Sequence, residues 1–459
     1  MAPQLSPLIE AAPAPVPATS QRGYQPVAEE STVAYPEVRG QLPPELDGSF
    51  LRIGPNPLGG RDPRLSVLTG DPMVHGLRLR DGRAEWYRSR WLRTGRVCAA
   101  LGALPTPGPR HGLSEDCNGN LLRFGRRLYA LGDGGVLPIE LDEQLGTVAR
   151  SDFDGTLPGG FSAHPEQDPL TGELFAMAYY HVQPYLRFLT LGPDGAVRRA
   201  VPVPLPSPSM VHAFSLTERY VVVYDLPVLF DPAAAAAGSR VPYTWREGHG
   251  ARIGLLRRDR DDLPVRWIEI EPCYVFHPLN AYEEQDGRVV LDVVRHERVF
   301  DRDRLSPGES EPTLWRWTVD PAAGAMTARQ LCEIPEEFPR VDDRYRTVRH
   351  RYGFAVAMDC RRHGPFAGSA LLRHDLAADR TDAHVFGPGR LTGEPTFIPR
   401  SPEAPEGDGW VLSLVYDSAL DRSELAVLDT RDFTGEPVAT VRLPVRVPHG
   451  LHSTWVPAL

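Results

Sequence analysis

Short apolar runs, each closed by a turn and answered by a second run, recur along the chain. GLRLRDGRAEWYRSRWL turns at Asp81-Gly82, VLPIELDEQLGTVARSDF around Gln144 and LRFLTLGPDGAVRRAVPV at Pro193-Asp194-Gly195. IGLLRRDRDDLPVRWIEI turns near Asp261, LWRWTVDPAAGAMTARQLCEI near Ala322, LLRHDLAADRTDAHVF near Ala378 and ELAVLDTRDFTGEPVATVRL near Asp432. The arms carry Val, Leu, Ile, Trp and Tyr; the turns carry residues that accept or preset turn dihedrals. Further strand-like runs, Tyr220 to Tyr224, Arg288 to Val294 and Trp410 to Tyr416, lie between the hairpins. Helix-period segments are scarce. Asp231-Pro232 followed by Ala233 to Ala237 and Gly238 predicts one or two helical turns, capped by Asp and stopped by Gly.

The turn centres lie 50 to 67 residues apart, about 58 on average. By length alone, 459 residues suggest about three domains. Seven similar units at that spacing point instead to radial repetition, with about four strands per unit, the make-up of a propeller blade. An array of β-sandwiches is the competing architecture. The expectation is an all-β, seven-bladed β-propeller over residues 26–459, with a cap of loops and short helices over one face, after an Ala/Pro-rich disordered tail at 1–25.

Composition narrows the chemistry. Gly (42) and Pro (47) make up about a fifth of the chain, too much for a helical bundle. A net charge of −10 argues against a nucleic-acid partner. The chain has no lysine, so Schiff-base, pyridoxal-phosphate and P-loop chemistry are excluded. Five cysteines without a CxxC pair suit a reduced, cytoplasmic location. No apolar window is long enough to span a membrane, and the first 21 residues lack the pattern of a signal peptide.

Of 14 histidines, His111, His181, His249, His296, His350, His363, His374 and His384 have polar or Arg-rich neighbours and read as surface residues or loop hydrogen-bonders. His75, His164, His212, His277 and His452, with His449 close by, stand in apolar or turn contexts near strand ends. In a radial array the inner strands share one axis, where imidazoles from distant blades can meet and hold a first-row metal. Spacing alone does not choose which of them do, and no HExxH motif is present.

With these residues the chain resembles the carotenoid cleavage oxygenase family. The markers are GSFLRIGPNP (48–57), AHPEQDPLTGEL (163–174), FHPLNAYEE (276–284), EFPRVD (337–342), GEPTFIPR (393–400) and VPHGLHSTWVP (447–457). The resemblance implies a seven-bladed propeller with one Fe(2+) on its axis, held by His164, His212, His277 and His452. It leaves His75 and His449 structural. It also implies three carboxylates behind the ligand histidines: Glu337, Glu394 and, where the family has glutamate, Asp133. Aspartate is one methylene shorter, so its contact with a histidine is expected to be lost or bridged by water. Such carboxylates offset the metal's charge and fix each ring's tautomer. Four histidines leave two octahedral positions for O2, unlike a closed structural zinc site.

The implied reaction is O2-dependent cleavage of an apolar alkene at a C=C bond, giving carbonyl products, with a carotenoid or apocarotenoid as substrate. Relatives that cleave hydroxylated stilbenes carry a lysine where this chain has Gly132. A stilbene or phenylpropanoid alkene is the alternative substrate, and a non-catalytic propeller binding module the alternative function. Extraction of a carotenoid from a bilayer implies weak peripheral membrane contact, with Ala233 to Ala237 as a candidate rim. No obligate protein partner is evident.

Overall fold

The computed structural model describes residues 22–62, 66–110, 115–180, 185–260 and 263–458. The turn expected near Asp261 lies outside them, as do His111, His181 and residues 1–21 of the expected tail. Arg22–Tyr24 form a 3₁₀ turn. Tyr24 is fully buried and its hydroxyl donates to the His363 carbonyl at 3.0 Å, so packed structure begins ahead of residue 26.

Seven antiparallel blades can be traced. The first runs Ser453–Pro457, Gly48–Pro55, Pro72–Arg80 and Arg83–Trp91 from the inside outward, with Ser31–Ala34 added at the rim. The second comprises Asn120–Phe124, Arg127–Leu131, Ile139–Leu141 and Thr147–Arg150, and the third Glu166–Gln167, Leu174–Tyr179, Leu186–Leu191 and Val197–Pro202. Ser215–Leu216, Tyr220–Asp225, Arg252–Arg257 and Arg266–Glu269 form the fourth; Pro278–Glu283, Val289–Arg295, Thr313–Asp320 and Ala325–Gln330 form the fifth. The sixth (Glu336–Arg340, Tyr352–Met358, Gly368–Asp375, Arg380–Val385) and seventh (Thr396–Pro399, Gly409–Asp417, Arg422–Asp429, Ala439–Arg442) are joined by Arg390–Thr392, which pairs with a strand of each.

All seven hairpins read from the sequence are the third and fourth strands of a blade. The three isolated apolar runs, Tyr220–Asp225, Val289–Arg295 and Gly409–Asp417, are second strands. That position explains their composition: Gly409–Asp417 is buried at every residue but the last, whereas Ala325–Gln330 at a rim is almost wholly exposed. A strand with covered faces reads as a continuous apolar run.

The ring is closed between two distant parts of the chain. Ser453–Pro457 pairs antiparallel with Gly48–Pro55, Gly48 opposite Pro457 and Arg52 opposite Ser453. Gly48 is needed there because a Cβ would sit 2.4 Å from the Trp455 ring. The predicted helical turn is present as Pro232–Ala236, its Asp231 side chain accepting from the Ala233 and Ala234 amides. With Val228–Phe230 paired to Tyr243–Trp245, it rises out of the fourth blade over one face of the ring. No described helix is long and apolar enough to cross a membrane.

Candidate metal centre

The residue just before, or just inside, the innermost strand of a blade points at the axis. In six of seven blades it is histidine or glutamate. His164 precedes Glu166–Gln167, His212 precedes Ser215–Leu216, His277 precedes Pro278–Glu283 and His452 precedes Ser453–Pro457. In the sixth and seventh blades the place is taken by Glu337 and Glu394. The entry to the innermost strand, from three residues before it to its second residue, thus supplies both the ring nitrogens and two of the carboxylates behind them.

The four histidines meet. One nitrogen of each lies within 4.8 Å of the others. Ring centroids are 4.2 Å apart for His164 and His212, 4.7 Å for His164 and His452, and 4.8 Å for His277 and His452. Three Nδ1 atoms face carboxylates: His277 meets Glu337 Oε2 at 2.7 Å, His452 meets Glu394 Oε1 at 2.9 Å and His212 meets Asp133 Oδ2 at 2.6 Å. A carboxylate can only accept, so each ring carries its proton on Nδ1 and turns a bare Nε2 inward. His164 Nε2 is buried and hydrogen-bonds to nothing.

The sequence led us to expect the Asp133 contact to be lost or bridged by water. It is direct. The missing methylene is made up by the backbone, because Asp133 Oδ1 accepts from the Ala163 amide at 3.1 Å, one residue before His164. The Gly134 and Gly135 residues that follow take φ of 74° and 87°, turning the chain where other residues would be strained.

Burial sets the protonation. It pushes the His277 imidazole down to about 4 despite the opposing pull of Glu337, and it drives His164 well below the usual range, helped by the neighbouring histidines. Burial acts to raise the carboxyls, but Arg340 and His452 hold Glu394 at about 2, and His277 and His296 hold Glu337 well below its ordinary value. Neutral nitrogen donors backed by charged carboxylates fit a divalent transition metal. An orphaned buried nitrogen at their meeting point fits one as well.

A family model described as "Retinal pigment epithelial membrane protein" matches residues 24–457. The chain belongs to the carotenoid cleavage oxygenase family. It is 40% identical to the carotenoid cleavage oxygenase of Mycobacterium tuberculosis, over 94% of this chain and 96% of that one. The lignostilbene dioxygenase of Pseudomonas brassicacearum superposes with a TM-score of 0.87 at 30% identity, covering 98% of this chain and all of its own. Cobalt-substituted Synechocystis ACO superposes with a TM-score of 0.86 at 28% identity, over 96% and 99% of the two chains.

In this member of the family a cavity of about 520 Å³ runs from beneath the cap to the histidines, walled by Tyr179, Met210, Phe276, Phe338, Phe366 and Leu451 among others. Ala235 of the short helix lines it. A second recess of about 620 Å³ reaches His164, His277 and His452 from the opposite face, between Arg340, Arg346 and Glu166.

Two residues of the centre escaped sequence reading. His296, expected near the surface, is 3% exposed and places Nε2 3.0 Å from Glu337 Oε1, sharing the carboxylate that serves His277. His350, His374 and His384 are likewise buried. His374 and His384 lie on strands, where adjacent residues face opposite ways, so polar neighbours say little about burial, and His350 is buried on the connection ahead of Tyr352–Met358. Phe338 lies at a bulge between Glu337 and Arg340 with φ of 56°, and its ring stacks on His277 with centroids 5.5 Å apart. The bulge aims both Glu337 and Phe338 at the axis. His75 and His449 stand apart from the cluster; His75 Nδ1 meets the Tyr87 hydroxyl at 2.9 Å and His449 packs edge-on against Tyr24.

Proposed function

We propose that His164, His212, His277 and His452 hold one ferrous ion and that the chain uses O2 to cleave a C=C bond of a carotenoid or apocarotenoid to aldehydes. The observation that carries this is the meeting of four inward Nε2 atoms at the inner end of a largely apolar cavity. When bound, the metal supplies dioxygen binding and activation at positions the protein leaves open. Glu337, Glu394 and Asp133 lock the ring tautomers and balance the charge of a centre whose ligands are all neutral. Arg340 ties Glu394 to the closing strand by donating to the Ser453 carbonyl at 2.6 Å. Phe276, Phe338 and Phe366 keep water from the reacting alkene and hold one double bond beside the centre, which is where regioselectivity arises.

Gly132 favours a polyene over a hydroxylated stilbene. A Cβ there would lie 2.4 Å from the Asp116 carbonyl oxygen, so the position has no room for a side chain that could reach a phenol. The half-open rim around Pro232–Ala236, whose residues are all at least partly exposed, suits weak contact with a bilayer. Five free, buried cysteines suit the cytoplasm.

The test is to load the protein with iron and offer apocarotenoids, carotenoids and hydroxystilbenes, following O2 uptake and identifying products by mass. Polyene-dependent uptake with paired aldehydes is expected. Uptake with stilbenes alone reassigns the substrate, and uptake with none of them removes the oxygenase reading. Flotation with liposomes tests the rim, and failure to bind any lipid mixture removes it.

A further inference from the structure

Away from the axis, the junction of the fifth and sixth blades holds a second group of metal-binding side chains. Cys332 Sγ, a Glu336 carboxylate oxygen and a His374 ring nitrogen lie within 4.8 Å of one another. Cys332 is on the connection after Ala325–Gln330, Glu336 opens the innermost strand of the sixth blade and His374 is on its third strand. They are 8%, 0% and 2% exposed. The surroundings are apolar, with Leu314, Ile334, Leu372 and Ala383 packed about them.

The polar atoms here face mainly one another. Glu336 Oε2 faces His374 Nε2 at 3.1 Å, the Cys332 thiol bonds the same carboxylate, and the three groups have mainly one another for partners. A carboxylate buried in an apolar pocket with only one imidazole and one thiol for partners is a costly arrangement unless a cation joins the three. The other face of the histidine is arranged: its Nδ1 meets Thr381 Oγ1 at 2.9 Å, and the same hydroxyl lies 3.9 Å from Cys332 Sγ. This contact behind the ring leaves Nε2 turned towards the carboxylate and the thiol.

We propose that Cys332, Glu336 and His374 form a second metal site, for a zinc-class divalent cation, independent of the four-histidine centre. Thiolate, imidazole and carboxylate are the donors zinc takes. Cys332 must enter as thiolate, so binding releases its proton to solvent and tightens as pH rises. The site clips the connection between two blades to the strand that presents Glu337 and Phe338 to the axis. Its role is to hold that strand in place.

Sulfur separates the two sites, because the axial centre has only nitrogen donors. Equilibrium dialysis of the full chain against Co²⁺ should give two ions per chain and a near-ultraviolet thiolate-to-cobalt charge-transfer band that Zn²⁺ displaces. Cys332→Ser should lose the band, Glu336→Gln should weaken the second ion at least tenfold, and His277→Ala should keep the band while losing the axial ion. If wild type saturates at one ion per chain without the band, the proposal is overturned and Glu336 and His374 are a plain buried ion pair. Because the wild-type measurement decides, a variant that fails to fold does not rescue the idea.

Discussion

Asp133 makes its contact with His212 at 2.6 Å only because its other oxygen is anchored to the Ala163 amide. Asp133→Ala should therefore cost both the tautomer lock and the anchor, lowering iron affinity about 10–100-fold. Asp133→Glu should lower it as well, since the extra methylene has to displace a loop that already brings the carboxylate into contact. Iron retained per chain after dialysis checks both. Glu394→Gln should lower iron affinity or turnover by about 10–100-fold too, because an amide oxygen accepts but no longer balances charge beside His452. Residue chemistry was readable wherever a motif surrounded it, as for Glu337 in EEFPR. His296 and the left-handed φ of Phe338 were not, since one depends on which strand face a residue takes and the other on a bulge with no residue-type signature.

Among the elements, the outer hairpins were legible because a tight turn writes itself into local sequence. Arg80 pairs with Arg83 across Asp81 and Gly82, whose φ values of 48° and 69° are those of a primed two-residue turn. The innermost strands were not legible. Glu166–Gln167 and Ser215–Leu216 are too short to show any period, although they carry the axis. The seam between the first blade's strands is the element most sensitive to added volume. Gly48→Ala should destabilise by about 1–3 kcal/mol by forcing Trp455 and Val456 away. A lower urea midpoint with unchanged slope would show it; an unchanged midpoint would mean the closing strand shifts freely.

For the whole molecule, the buried histidines outside the axial centre set an acid limit. Burial holds His75 and His449 down at about 3 and His350 at about 4, against an ordinary 6.5. Above pH 6.5 these rings are neutral folded or unfolded and contribute no pH dependence. Below it the unfolded chain takes up protons that the folded chain refuses, so stability falls from pH 6.5 towards 4, by up to about 1.4 kcal/mol per pH unit for each ring. Thermal midpoints measured across that interval should drop steadily; a flat profile would mean the rings are protonated in place. The radial plan itself was visible in the spacing of hairpins, whereas the joining of the sixth and seventh blades by Arg390–Thr392 follows from a crossover that no local pattern announces.

The seam also orders events in time. His452 stands immediately before the strand that shuts the ring, 175 residues after His277. A chain still emerging from the ribosome owns three of the four imidazoles and no closed circle to gather them. If the four histidines hold a metal as proposed, the full ligand set exists only once this last stretch has been made, so complete capture of the cation would follow translation.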